Sequence, residues 1–90
     1  MSVRVNLFYP QVQRHINRRD VVVEGSTVGE CLSDLTRRFP GIDRWLFDER
    51  GQLLGQVYVY INAESARKAG LADAVKEGDE LIITVLIMGG

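Results

Sequence analysis

The chain closes on Leu81-Ile82-Ile83-Thr84-Val85-Leu86-Ile87-Met88-Gly89-Gly90, an apolar, β-branched run that stops at two glycines. Ile, Val and Thr fit a pleated, half-buried surface, so the first part of the run reads as a strand. Its alternating sets are Leu81, Ile83, Val85 and Ile87 on one side, and Ile82, Thr84, Leu86 and Met88 on the other. Both sets are largely apolar. A sheet covered by a helix on one side is expected to turn polar residues to the other, so the second set is anomalous. Gly89 and Gly90 bring no side chain and lose the most entropy on ordering. They read as a slim, flexible tip, whose terminal carboxylate suits another protein's active site. The bland alternative is a frayed terminus.

The partner for such a strand lies at the other end of the chain. Ser2 to Tyr9 alternates, with Val3, Val5 and Leu7 on one side and Ser2, Arg4 and Asn6 on the other. That is the pattern of a half-buried strand. Pro10 is expected to end it, because proline cannot donate to the ladder. Gln11 to Arg19 is polar and reads as a long hairpin loop. Asp20 to Glu24 reads as the returning strand, although Val21-Val22-Val23 leaves its inward face open.

Gly25-Ser26 breaks that strand. Thr27-Val28-Gly29-Glu30 matches a capping box, with Thr27 as N-cap and Glu30 three residues on. The predicted helix runs to about Arg38. Val28, Cys31, Leu32, Leu35 and Phe39 form its apolar stripe, and Pro40-Gly41 closes it. Ile42, Trp45 and Leu46 suggest one further helical turn that lays Trp45 on the core edge. Asp48 to Gly51 is a turn, Leu53-Leu54 a short edge strand, and Leu71 to Val75 a short turn of helix. Val57 to Ile61 is a strand that turns Val57, Val59 and Ile61 one way and Tyr58 and Tyr60 the other. Lys76 to Asp79 turns tightly into the last strand.

A hairpin, a crossing helix and then further strands make an α+β plan. The two strongly apolar strands, first and last, belong side by side at the sheet centre. A parallel pair needs a crossover, which residues 27–38 supply. The expectation is a β-grasp (ubiquitin-like) fold: a mixed sheet with one main helix on one face, in a single domain spanning 1–90.

Composition narrows the function. The chain is 46% hydrophobic and 26% charged, with a formal net charge of −1. Those values suit one soluble domain and give no electrostatic case for nucleic acid. No run is long enough to span a bilayer. A cytoplasmic protein, monomeric when free, is expected. Cys31 and His15 stand alone, so neither a metal site nor a catalytic constellation is indicated. Cys31 lies on the buried stripe and reads as a small core side chain. His15 reads as a solvated loop residue. With so little catalytic material, any chemistry belongs to the chain terminus.

Several motifs now coincide: Gly25-Ser26-Thr27-Val28 opening the helix, Phe39-Pro40 closing it, and Tyr58-Val59-Tyr60-Ile61-Asn62. Gly78-Asp79-Glu80 precedes the last strand, and Gly89-Gly90 ends the chain. In this order, and at this length, they resemble the MoaD/ThiS family of ubiquitin-like sulfur carriers over nearly the whole chain. Phe39-Pro40-Gly41-Ile42 and Asn62-Ala63-Glu64 are also similar to the CysO branch, which carries sulfur for cysteine synthesis. Family members that serve molybdopterin synthesis often carry prolines before Gly-Gly. This chain has Thr84 to Met88 there and no proline.

The resemblance implies a carrier without catalytic activity of its own and with no bound cofactor. A ubiquitin-activating-type adenylyltransferase, MoeB/ThiF-like, uses ATP to convert the Gly90 carboxylate to an acyl-adenylate. A sulfur nucleophile then displaces AMP, and the thiocarboxylate donates sulfur to an acceptor bound by a synthase. Molybdopterin, thiamin thiazole and cysteine pathways all remain open. Gly90 would carry the reacting group and Gly89 would keep the tip thin. Ile87 and Met88 would seat the tail. Tyr58, Tyr60, Leu86 and Met88 would form an apolar docking patch, unless residues 42–56 fold over that face. The competing readings are a modifier joined to lysines through Gly90, and an interaction module with an inert tail.

Overall fold

The computed structural model describes residues 1–65 and 67–86. Four strands form one sheet: β1 (Ser2–Phe8), β2 (Asp20–Glu24), β3 (Val57–Ile61) and β4 (Glu80–Val85). Their order is β2-β1-β4-β3. β1 is antiparallel to β2 and parallel to β4, and β3 is antiparallel to β4. The two most apolar strands therefore do pair in parallel at the centre.

The crossover helix α2 (Val28–Arg38) covers one face of the sheet. Its stripe of Val28, Cys31, Leu32 and Leu35 is fully buried. It meets Val3, Val5, Leu7, Val21, Val23, Val57, Val59, Leu81 and Ile83, the inward set of the four strands. Alternation resolves the three valines of β2: Val21 and Val23 point in, while Val22 is exposed.

The capping box forms with a shifted return bond. Thr27 Oγ1 accepts from the Glu30 N–H at 3.1 Å, while Glu30 Oε1 accepts from the Ser26 N–H at 2.8 Å. At the other flank Asp34 is buried. It accepts from the Glu24 N–H at 2.9 Å and from Arg37 and Arg38. The backbone bond, followed by those two guanidiniums, lowers its pKa to about 2. This carboxylate fastens α2 to the edge strand β2.

Two expected elements are different. Gln11 to Arg19 is not a simple loop, because residues Pro10–Ile16 form a helix, α1. Its Val12 and Ile16, one turn apart, are buried in the core. Pro10 starts this helix rather than merely ending β1; a proline at the first helical position loses no bond there. Asn17, with φ of 58°, closes it in the left-handed conformation.

Leu71 to Val75 is not helical either. The carbonyls of Leu71 and Asp73 accept from Gly29 N–H and Val28 N–H at 2.8 and 2.9 Å. They satisfy amides that the first turn of α2 leaves without partners. Carbonyls used in this way are unavailable for a helix of their own. A Cβ at Gly29 would lie 3.1 Å from the Leu71 carbonyl oxygen, so this contact favours glycine.

Smaller features follow the sequence more closely. α3 (Asp43–Leu46) is the expected single turn, with Ile42 and Leu46 buried and Trp45 at the core edge. Leu53 makes only an isolated bridge with Phe47 instead of a strand. His15 is exposed but tethered: its Nε2 lies 3.0 Å from the Pro40 carbonyl oxygen, and its ring meets Trp45 edge-on at 5.3 Å. No helix among the described residues is long and apolar enough to cross a membrane.

Candidate functional site: the open sheet face and the strand that leaves it

The face away from α2 is built by the outward set of each strand. Pairing registers arrange it in rows. Phe8, Thr84 and Tyr58 stand side by side on β1, β4 and β3. The next row is Asn6, Ile82 and Tyr60, and the one after it Arg4 and Glu80. Neighbouring strands lie about 4.8 Å apart, so each row is a continuous strip of side chains. Leu86 extends the outward set beyond β4, and its N–H donates to the Gln56 carbonyl at 2.8 Å.

The face therefore has a polarity along the strands. The end where β1 and β4 finish is apolar: Phe8 is 61% exposed and Leu86 45%, with Tyr58, Ile82 and Thr84 half-buried beside them. The end where they begin is polar. There Asn62 donates to Asp79 at 3.1 Å and Asn6 donates to Glu80. Asp79 is held below the usual carboxylate range, first by the Lys76 N–H and then by Asn62.

Tyr58, Tyr60 and Leu86 lie on the face where alternation puts them, while Val57 and Val59 are buried inward and Ile61 is half-buried. Residues 42–56 do not close this face. Ile42 and Leu46 join the inward core, and the buried Tyr9 hydroxyl donates to the Trp45 carbonyl at 2.8 Å. Ile87, Met88, Gly89 and Gly90 lie outside the described residues.

Phe8 is the member of this face that the sequence reading passed over. The same alternation that turns Val3, Val5 and Leu7 inward requires Phe8 to point out. Cys31 is fully buried, and its thiol pKa is raised by that burial, which makes it a poor nucleophile. Among the described residues no group of three or more His, Cys, Asp or Glu could hold a metal ion.

A mixed sheet in the order β2-β1-β4-β3, crossed by one helix and open on its other face, defines a ubiquitin-like β-grasp protein. The chain is more particular than that: it belongs to the ThiS family, whose model matches residues 7–90. It is 36% identical over 76 residues to "Sulfur carrier protein CysO" of Mycobacterium tuberculosis, spanning 81% of this chain and 82% of that protein. Among solved structures, SAMP1 of Haloferax volcanii superposes with a TM-score of 0.86 at 29% identity, covering all of both chains. The chain is also similar to one in the Amycolatopsis orientalis BexX/CysO complex, with a TM-score of 0.81 and 32% identity. That match covers 98% of this chain and 99% of the other.

Proposed function

We propose that this protein is a sulfur carrier, a protein cosubstrate that is spent and recharged rather than an enzyme. The observation that carries the reading is the ThiS-family match running through to Gly90. The relative named a sulfur carrier protein supports it.

The chemistry falls on the carboxylate of Gly90. A carboxylate is a poor electrophile. In the active site of a ubiquitin-activating-type adenylyltransferase, a Gly90 oxygen attacks the α-phosphorus of ATP and pyrophosphate leaves. A sulfur nucleophile then attacks the Gly90 carbonyl carbon and AMP leaves. With hydrosulfide as the nucleophile the terminus is at once a thiocarboxylate. With a persulfide it is an acyl disulfide, whose S–S bond a thiol then cleaves to leave the thiocarboxylate and a mixed disulfide. The thiocarboxylate passes its sulfur to an acceptor on a second enzyme. The carrier contributes shape. Gly89 and Gly90 have no Cβ to clash in a narrow channel. An extended tail can be gripped through its backbone. Four residues beyond Leu86 span about 13 Å when extended, enough to reach a recessed active site.

Tyr58, Tyr60, Leu86 and Phe8 form the docking face in this reading, with Ile87 and Met88 seating the tail. An apolar patch open on a small domain suits a protein partner. The relative seen in complex with BexX supports a partner synthase.

The test is incubation with the cognate adenylyltransferase, ATP and a sulfur source, followed by intact mass. The expected product gains the mass of one oxygen replaced by sulfur. Gly90→Ala is expected to lose ATP–pyrophosphate exchange while melting as wild type does. Unchanged exchange by that variant overturns the assignment. Conjugation is the second reading, favoured by the likeness to an archaeal protein whose name includes "modifier". It predicts Gly90 joined to lysine side chains in protein recovered from the native host.

A further inference from the structure

The corner between α1 and β2 gathers positive charge that the core does not use. Arg14, Arg18 and Arg19, with Gln13 and Asn17, line an open cleft of about 310 Å³. All three arginines are exposed, and none is in an ion pair among the described residues. No acidic residue occurs between Met1 and Arg19, and Asp20 is the nearest in sequence. The corner is fixed to the sheet: Leu7 N–H donates to the Arg19 carbonyl at 2.8 Å, and Gln13 donates to the Leu7 carbonyl.

Its position follows from the register. Arg19 bonds to Leu7, and Leu7 is level with Ile83 of β4. Arg19 therefore stands two strand spacings, about 10 Å, from β4. Leu86 is three residues farther along, about 10 Å. The arginine corner thus lies about 14 Å from the point where the tail leaves the sheet. On the opposite side of the same apolar row, Lys68 Nζ sits 4.6 Å over the Tyr58 ring. The tail-bearing end of the sheet thus carries an apolar strip, Phe8-Thr84-Tyr58, with Lys68 over its Tyr58 end and the arginine corner at the β2 side of the same end. The far end is mixed in sign: Glu24, Glu77, Asp79 and Glu80 lie around Ser2 and Asn62, with Arg4 among them and the amino terminus paired to Glu24.

A partner that takes the tail must cover its exit. A standard interface buries about 800 Å² on each side, a disc of about 16 Å radius, which reaches the arginine corner. Cations left opposite a neutral or basic surface would oppose association, whereas an acidic one would steer it. We propose that Arg14, Arg18, Arg19 and Lys68 form a cationic rim that docks on an acidic rim around the tail-accepting channel of the adenylyltransferase. This rests on the sulfur-carrier reading and adds the sign of the surface that recognises the carrier.

The experiment is ATP–pyrophosphate exchange by the cognate adenylyltransferase, titrated with carrier at low and high salt. The variants are R14E/R18E/R19E and the charge-preserving R14K/R18K/R19K, with melting curves for each. The expected result is a KM for wild type that rises with salt. The glutamate variant should show a KM at least tenfold higher at low salt with a much weaker salt dependence. Its kcat should be near wild type, and the lysine variant should stay close to wild type throughout. A glutamate variant that melts normally and keeps the wild-type KM overturns the rim. So does equal loss in the lysine variant. Lack of exchange with wild type itself overturns the carrier reading beneath it, which separates the two failures.

Discussion

Phe8→Ala isolates the open sheet face from the core. Phe8 is 61% exposed. A phenylalanine offers roughly 200 Å², so about 120 Å² of it remains available to a partner. At about 25 cal/mol per Å² this is a ceiling of about 3 kcal/mol on docking. Conversion of area to affinity is incomplete, and half the ceiling corresponds to about a tenfold rise in Kd. The cost to the free fold is smaller. The buried part that alanine gives up is about 50 Å², or about 1 kcal/mol as an upper value. A domain of this size then melts about 4–8 °C lower and remains folded at the temperature of a titration. The neighbouring Leu7 is 1% exposed, and Leu7→Ala is the opposite case. It should cost about 2–5 kcal/mol of stability and leave the affinity of the folded fraction near wild type. The assay is calorimetric titration of the cognate adenylyltransferase with each variant, beside thermal melts. Wild-type affinity in Phe8→Ala would refute the reasoning and place docking elsewhere. Tyr60→Asp, one row farther along the same face, should weaken binding in the same direction.

Two further outcomes concern the core. Asp34 has a folded-state pKa of about 2 against 3.8 for the free group. A depressed value means that its contribution, about 2 kcal/mol, is present above the unfolded pKa and is lost as pH falls through the folded one. Wild-type denaturant midpoints should therefore fall between about pH 4 and pH 2, and Asp34→Asn should be less stable at neutral pH with a flatter acid limb. Equal acid limbs would show that another carboxylate dominates. Cys31→Ala should keep full sulfur transfer and lose about 1 kcal/mol, because the thiol is buried and only a small core group is trimmed. Loss of transfer by a well-folded variant would move the chemistry to the thiol.

The sequence alone determined the parts that depend on local periodicity. Alternation in Ser2–Phe8 and Glu80–Val85 marks two half-buried strands, and the stripe from Val28 to Leu35 marks the helix between them. Since a parallel pair needs a crossover, those three elements imply the β-grasp order. The same alternation put Tyr58, Tyr60 and Leu86 on one face. Tertiary structure decided what periodicity cannot carry. α1 rests on only two apolar positions, Val12 and Ile16, too few to mark a helix until β1 and the rest of the core supply the surface they bury against. Residues 71–75 read as helix from local composition, but their carbonyls are drawn to the first amides of α2, a partner more than forty residues away in the chain. The placing of the arginine corner and the tail exit at one end of the sheet was likewise beyond the sequence. Arg19 and Leu86 lie far apart in the chain, and only the pairing of β2 with β1 and of β1 with β4 brings them to the same end of the sheet.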